Sequence, residues 1–177
     1  QKSYHWNMIT EAKDMDEIMD LAEWMIMSAG DDEAFWSGGE VNLLAAALGY
    51  TKFTEQNNIA RNIRSALRLL SFPQERINEL IAALPENTET DTVKEVWAGT
   101  EKLFSNYVEG VRNKLRIITK GSLADLTSYS DFDLSTIGSQ KTALFLILPE
   151  EGEYQALLVP FYAFMFRRLN ELAAEKN

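Results

Sequence analysis

The 177-residue sequence contains no cysteine and a single histidine. The absence of cysteine excludes disulfide scaffolds, thiolate zinc sites and cysteine nucleophiles. One histidine, His5, is too few for a zinc site built from histidines. The longest apolar runs are about eight residues, whereas a membrane-spanning helix needs roughly 20, and no signal peptide opens the sequence. We therefore expect a soluble, mostly helical protein.

The composition is that of an ordinary folded domain, with 46% hydrophobic and 25% charged residues. The formal net charge of −10 is unevenly distributed. Residues 1–50 contain ten acidic and two basic residues, whereas residues 51–120 contain nine acidic and eleven basic ones. The overall acidity argues against nonspecific DNA binding as the main activity, but the basic middle third permits a local DNA-binding patch.

Apolar periodicity and capping residues predict helices along most of the chain, and hence an all-α fold class, a multi-helix bundle-like domain. The spacing of Ser37 and Glu40 is that of a capping box, which predicts a break near Gly38 and Gly39. The predicted helices span 14–27, 41–48 with Gly49 as its stop, 54–70, a segment from Pro73 to Pro85, 92–117, 122–126 and 153–174.

One segment departs from this helical pattern. Residues 142–148 form a continuous apolar run that ends at Pro149, which is typical of a strand buried on both faces of a parallel sheet. Such a strand needs neighbours on both edges, and the sequence offers no other convincing strand. We therefore expect that the chain was cut from a larger protein and that this strand and the last helix belong to a neighbouring α/β domain. The alternative is a short buried segment covered by helices.

A set of motifs near both ends of the chain has a characteristic order and spacing. They are Trp6, Asn7, Asp32, Phe35, Trp36, Leu43, Leu44, Asp131, Asp133, Leu134, Lys141, Thr142, Ala143, Leu148, Pro149, Glu150, Glu151, Tyr154, Phe161 and Tyr162. These motifs resemble the type IV secretion coupling proteins, the TraG/TraD class of conjugation ATPases. The resemblance over residues 128–173 is to the point where the helical insertion of that family returns to the motor domain.

In that family the helical insertion is an all-alpha domain at the cytoplasmic end of a membrane-anchored, DNA-pumping hexameric ATPase, where it receives the transfer substrate. The resemblance implies a linker over 1–10, an all-alpha domain over 11–139, and a strand and helix over 140–177 that return to the nucleotide-binding domain. It also implies a relaxase, a relaxosome accessory protein or an effector protein as partner. The parent motor hexamer would hold this segment at the cytoplasmic face of the membrane, without direct membrane contact.

The sequence contains no motif for nucleotide hydrolysis. Lys120 precedes Gly121 and Ser122 but lacks the glycine-rich loop of a Walker A motif, and no acidic pair of the Walker B type is present. The pair Glu150-Glu151 follows the apolar run, and a helical enzyme with a carboxylate site there is one alternative. His5 has no evident partner that would orient it as a base, so we interpret it as an exposed linker residue. We expect no catalysis, no cofactor and no metal.

Two rows of basic residues at helical spacing are the sharpest functional feature. One row consists of Arg61, Arg64 and Arg68, and the other of Arg112, Arg116 and Lys120. Either row is spaced to follow a phosphate backbone, which gives affinity without reading the base sequence. The alternative is a charged helix face that pairs with local acids such as Glu55, Glu75 and Glu109.

The first predicted amphipathic helix is rich in acidic residues, which form either an ordinary solvated helix face or a docking surface for a basic partner. The candidates for protein docking are Asp14, Asp16, Glu17 and Asp20, which we place on its solvent face together with Glu23. The leading hypothesis is a non-catalytic, substrate-recruiting domain. Its acidic helices would dock a basic relaxase or accessory protein, while the arginine rows face DNA, with single-stranded DNA among the candidate partners. The rival is a stand-alone helical DNA-binding protein that uses the Arg61, Arg64 and Arg68 face.

Overall fold

The computed structural model describes residues 3–29, 34–55, 60–119, 121–137, 141–145, 147 and 152–175. Its helices are α1 (Met8–Glu11), α2 (Met15–Ser28), α3 (Ala34–Phe53), α4 (Ile63–Leu69), α5 (Gln74–Ala82), α6 (Thr88–Ala98), α7 (Phe104–Leu115), α8 (Gly121–Leu126) and α9 (Gly152–Glu175). Short 3-10 helices cover Glu101–Leu103 and Leu134–Thr136. No strand is formed within the described ranges, so the predicted all-α class is confirmed.

Helix α3 is the centre of the fold. Each residue from Leu43 to Leu48 is fully buried, because α2, α4, α6 and α7 all pack against this helix. An apolar sequence on every side of the helix is typical of such complete burial. The helix is nevertheless continuous through Gly38, Gly39 and Gly49, so the predicted break and the predicted stop are both wrong.

Close helix packing explains why these glycines do not interrupt α3. A Cβ atom at Gly49 would lie 2.7 Å from a methyl group of Val93 on α6, which is closer than real Cβ contacts allow. A Cβ atom at Gly39 would overlap the ring of Tyr107 on α7. The glycines are therefore sites of close approach between helices, a tertiary role that outweighs their local tendency to end a helix.

The predicted helix over 92–117 is two helices, so the prediction of a single one is wrong. Helix α6 begins after Asn87, which forms a capping box with Thr90, and it ends at Gly99. The hydroxyl of the buried Thr100 then donates to the carbonyl oxygen of Trp97 at 2.8 Å, where the chain turns. Because of this break, α6 and α7 can each pack against α3.

The start of α4 also differs from its prediction over 54–70. The amide oxygen of Asn62 accepts a hydrogen bond from the backbone N–H of Ser65 at 3.0 Å, so Asn62 is the N-cap and the helix begins at Ile63. Asp14 is the N-cap of α2 and Pro73 is the N-cap of α5, so these two helices begin one residue after their predicted starts. Helix α2 ends at Ser28, one residue beyond the predicted span, with Ala29 as its C-cap.

The apolar run over 142–148 forms no strand at its described positions. Phe145 and Ile147 are 82% and 74% exposed. The alternative, a short segment buried beneath helices, is therefore wrong, and no sheet covers the run at its described positions. No other described strand is present to pair with the run, which explains the exposure. The idea that a neighbouring domain supplies the partner strands stays a prediction.

Helix α9 packs against α2 through its C-terminal half. Phe164 is buried, and Arg167 forms an ion pair with Asp20 of α2. Lys13, Arg167 and Arg168 surround the carboxylate of Glu171. These cations, Lys13 above all, hold the pKa of Glu171 at about 2. The predicted domain boundary at residue 140 stays a prediction, although α9 is in contact with the helical core here.

Candidate functional site

The basic row on α4 is exposed. Arg64 and Arg68 lie on the solvent face of the helix, opposite the buried residues Ile63 and Ala66. Arg61 is exposed as well, but it precedes the helix because Asn62 is the N-cap. The predicted row therefore joins a helix face to the segment just before it.

The basic row on α7 meets the end of α4. Arg112 and Arg116 are both exposed at the C-terminal end of α7. Nη2 of Arg112 donates to the carbonyl oxygen of Leu70, the C-cap of α4, at 3.0 Å. A cation at this position also interacts favourably with the helix dipole of α4. Arg112 thus brings the two rows together, whereas Lys120 lies outside the described residues.

The arginines of the two rows differ from the other described arginines in their partners. The others, Arg76, Arg167 and Arg168, all form ion pairs. Within the described part of the chain, no carboxylate forms an ion pair with Arg61, Arg64, Arg68, Arg112 or Arg116. The local acids named as alternative partners, Glu55, Glu75 and Glu109, form none with them. The charge of these rows is therefore available to an external anion.

A groove opens beside Arg112, between the α4–α5 turn and the start of α7. Its volume is about 550 Å³. Much of its lining is apolar, and it includes Leu70, Phe72, Pro73, Phe104, Val108 and Arg112. Sequence reasoning missed this groove, because its two walls are more than 30 residues apart in the chain. The signal available in the sequence was Phe72, an aromatic residue directly before Pro73, the N-cap of α5.

The acidic candidates on α2 do not form one exposed surface. The side chain of Asp14 accepts from the backbone N–H of Glu17 at 2.9 Å, which caps the helix. Glu17 is only 6% exposed, so its predicted place on the solvent face is wrong. Asp20 is held by Arg167 of α9. Of these four residues, Asp16 is the one that is exposed and not merely half-buried.

His5 has partners that the sequence did not reveal. Its Nδ1 lies 2.9 Å from Oδ2 of Asp131, and its Nε2 lies 3.3 Å from Oδ2 of Asp125. The ring stacks on Tyr129 with 4.2 Å between the ring centroids, and the side chain is 17% exposed. The hydrogen bond with Asp131 raises the pKa of His5 and lowers the pKa of Asp131. The interpretation of His5 as an exposed linker residue without an orienting partner is therefore wrong.

Backbone hydrogen bonds also join the segment around His5 to residues 126–131; we call this contact the His5 junction. The N–H of Trp6 donates to the carbonyl oxygen of Leu126 at 2.8 Å, and the N–H of Asn7 donates to the hydroxyl of Ser130 at 3.0 Å. The backbone N–H of His5 donates to Oδ1 of Asp131 at 2.9 Å. The two segments that carry the N-terminal and C-terminal motifs are therefore tied to each other at one place on the helical domain.

The His5 junction predicts a pH-dependent stability. A pKa that is raised in the folded state gives stability that is fully present below the ordinary value of 6.5 and is lost as the pH rises through the raised value. We expect the urea midpoint of the unaltered chain to exceed that of the His5→Gln variant by more at about pH 5.5 than at about pH 8.5. Equal differences at the two pH values would contradict this. The Asp131→Asn variant is the matched control, because it removes the partner and should abolish most of the pH dependence.

The described part of the chain contains neither a membrane-spanning helix nor a cluster of metal ligands. No helix there is both long and apolar enough to cross a bilayer. No group of three or more histidine, aspartate or glutamate side chains is arranged there to hold a metal ion. The pair Glu150-Glu151 of the enzyme alternative lies outside the described residues.

Comparison with known protein families identifies a match over almost the whole chain. A family model described as type IV secretory system conjugative DNA transfer matches residues 7–177. The match spans every helix from α1 to α9 and both arginine rows. No curated protein gives a significant match, and no solved structure does.

Proposed function

The chain belongs to the type IV secretory system conjugative DNA transfer family, and from this membership we propose that it is the all-α, substrate-receiving domain of a coupling protein. The predicted resemblance to the TraG/TraD class is confirmed at the level of the family. In the proposed role, the domain recruits the DNA, the relaxase or the effector that is to be transferred. It performs no catalysis of its own and acts as part of a membrane-anchored motor hexamer, at the cytoplasmic face of the membrane.

The observation that carries this proposal is the unpaired charge of the arginine rows. Arg64, Arg68 and Arg116 are exposed and form no ion pair with the described residues, whereas most described cations outside the rows are paired. Surface charges act over about 8 Å at physiological ionic strength. The rows can therefore attract nearby phosphates even though the chain as a whole carries a charge of −10. We expect moderate affinity for DNA that decreases steeply with salt.

A protein partner would approach the acidic side of the domain. Asp16 and Glu23 are exposed on α2, and residues 1–50 have a large excess of acidic over basic residues. Such a surface complements a basic relaxase or accessory protein and accelerates its association. Because Glu17 is buried and Asp20 is paired with Arg167, this docking role now rests on fewer residues than the sequence suggested.

A stand-alone DNA-binding protein is the second candidate, since the same exposed arginines support it. The two candidates differ in expected affinity. A receiving domain within a hexamer gains from the local concentration of DNA and needs only weak binding. A stand-alone protein must hold DNA by itself at physiological salt, where the number of neutralised phosphates decides the affinity.

Charge reversal of the α4 row tests the proposed function. Fluorescence anisotropy with labelled DNA would be measured for the unaltered chain and for the variant with Arg61→Glu, Arg64→Glu and Arg68→Glu. We expect the variant to bind roughly tenfold or more weakly at low salt. We also expect the slope of log affinity against log salt to become shallower by about 0.9 for each phosphate that the variant no longer neutralises.

The matched control reverses three cations outside both rows and outside the segments that line the groove, Lys13, Lys94 and Lys141. This control has the same net charge as the test variant, so it separates a local effect from a general one. Equal decreases in affinity for both variants would contradict a specific role for the α4 row. Tight binding by the unaltered chain at physiological salt would favour the stand-alone candidate instead.

A further inference from the structure

The groove beside Arg112 has aromatic side chains on two sides. Phe72 is 41% exposed, yet its backbone is ordered, because its N–H donates to the carbonyl oxygen of Leu69 at 3.0 Å and Pro73 follows it. Phe104 lines the opposite side and is held edge-on by Trp97, with 5.5 Å between the ring centroids. The groove therefore has an aromatic side chain from each of the two chain segments that line it.

Unpaired cations flank the same groove. Arg112 lines it and is anchored through Leu70, while Arg116 follows one helical turn further along α7. Arg68 lies in the last turn of α4, three residues before Ser71, which lines the groove. A strand whose base enters the groove would therefore have arginines of both rows beside it.

We propose that this groove receives an unstacked base of single-stranded DNA, which stacks on Phe72 while Arg68, Arg112 and Arg116 hold the neighbouring phosphates. This inference deepens the proposed function and rests on it. Aromatic side chains beside a cationic track are the combination by which proteins hold single strands without reading their sequence. The groove volume of about 550 Å³ falls within the range of small-ligand sites.

Three features favour a single strand over a duplex or a peptide. The bases of a duplex are stacked on each other, so their faces cannot enter a groove. A peptide with an apolar side chain would fill the groove, but it would leave the flanking arginines without phosphates or other anions. Glu109, which also lines the groove, repels phosphates from its interior.

The test compares single-stranded and duplex DNA of the same sequence. A fluorescein-labelled strand of about 15 nucleotides would be titrated by anisotropy with the unaltered chain and with the Phe72→Leu variant. Leucine keeps an apolar side chain but removes the ring. We expect the variant to bind the single strand roughly tenfold more weakly and the duplex with unchanged affinity. The Phe72→Trp variant should bind the single strand at least as well as the unaltered chain.

A control variant and a cross-link make the result specific. Phe166 on α9 is 57% exposed and lies on a different helix from the groove, so Phe166→Leu should change neither affinity. A strand that contains 5-iododeoxyuridine should form a photo-cross-link to a peptide with Phe72 or Phe104. A cross-link that maps only to other segments would overturn the inference.

The outcomes separate this inference from the proposed function. If Phe72→Leu leaves single-strand binding unchanged while the Arg61, Arg64 and Arg68 reversal weakens it, the base-stacking groove is overturned and the DNA-receiving role stands. The groove would then be assigned to a protein partner. If the unaltered chain binds neither single-stranded nor duplex DNA at low salt, the DNA-binding role fails, and the groove inference fails with it.

Discussion

Replacement of Lys114 by methionine will lower the free energy of unfolding by about 3–5 kcal/mol, because it leaves a carboxylate buried without a cation. The side chain of Glu40 on α3 is 8% exposed, and its Oε2 lies 2.6 Å from Nζ of Lys114 on α7. Lys114 is itself only 21% exposed. Methionine keeps most of the volume of lysine, so the destabilisation reflects the missing charge. The measurement is urea denaturation at neutral pH.

The matched control is an exposed pair of similar chemistry. Lys94 lies 3.6 Å from Asp91 on α6, and the aspartate is 62% exposed. We expect Lys94→Met to cost less than about 1 kcal/mol, as for other exposed ion pairs. A double variant with Glu40→Gln and Lys114→Met should recover part of the stability, since no buried charge then remains. Equal costs for Lys114→Met and Lys94→Met would contradict the prediction.

The Glu40–Lys114 pair matters for function because it fixes α7 against α3. A Cβ atom at Gly110 would overlap the carboxylate of Glu40, so the pair fits only because α7 has a glycine there. Arg112 and Arg116 lie at the end of the same helix, within six residues of Gly110. The position of the second arginine row, and of one groove wall, therefore depends on this ion pair between α3 and α7.

The Glu40–Lys114 pair also shows which contacts cannot be predicted from the sequence. Ser37 and Glu40 have the spacing of a capping box, and the sequence alone favoured that local interpretation. In the structure Glu40 pairs with a lysine 74 residues away. Local signals predict a helix boundary to within one residue where all the residues involved belong to that helix, as with Asp14 at the start of α2. They fail at Gly39 and Gly49, where a neighbouring helix determines which residue fits.

The candidate site could likewise be predicted only in part. The exposed arginines on α4 and α7 could be predicted, because helical spacing depends only on the local chain, although Arg61 lies before α4. Their convergence could not, because it depends on the bond from Arg112 to Leu70, 42 residues apart. The same holds for His5 and Asp131, which are 126 residues apart. The exposed run around Phe145 is a further case, since the local pattern predicts a strand but the pairing it needs is not local.

The second large effect concerns Trp97, which joins the core to the groove. Trp97 is 3% exposed, and its Nε1 donates to Oδ1 of Asn78 on α5 at 2.8 Å. Its ring also contacts Phe104 at the groove wall. We expect Trp97→Ala to lower the free energy of unfolding by about 3–5 kcal/mol, because it leaves a large cavity. Denaturation curves in urea would measure this destabilisation.

Two further variants divide the contribution of Trp97 into its parts. Asn78→Ala removes the hydrogen-bond partner alone and should cost about 1 kcal/mol. Trp97→Phe keeps an aromatic ring against Phe104 and should lie between the other two variants in stability. An Asn78→Ala destabilisation as large as that of Trp97→Ala would show that the hydrogen bond, rather than packing, dominates. With packing dominant, Trp97→Phe should retain more single-strand affinity than Phe72→Leu, because it preserves both ring surfaces of the groove.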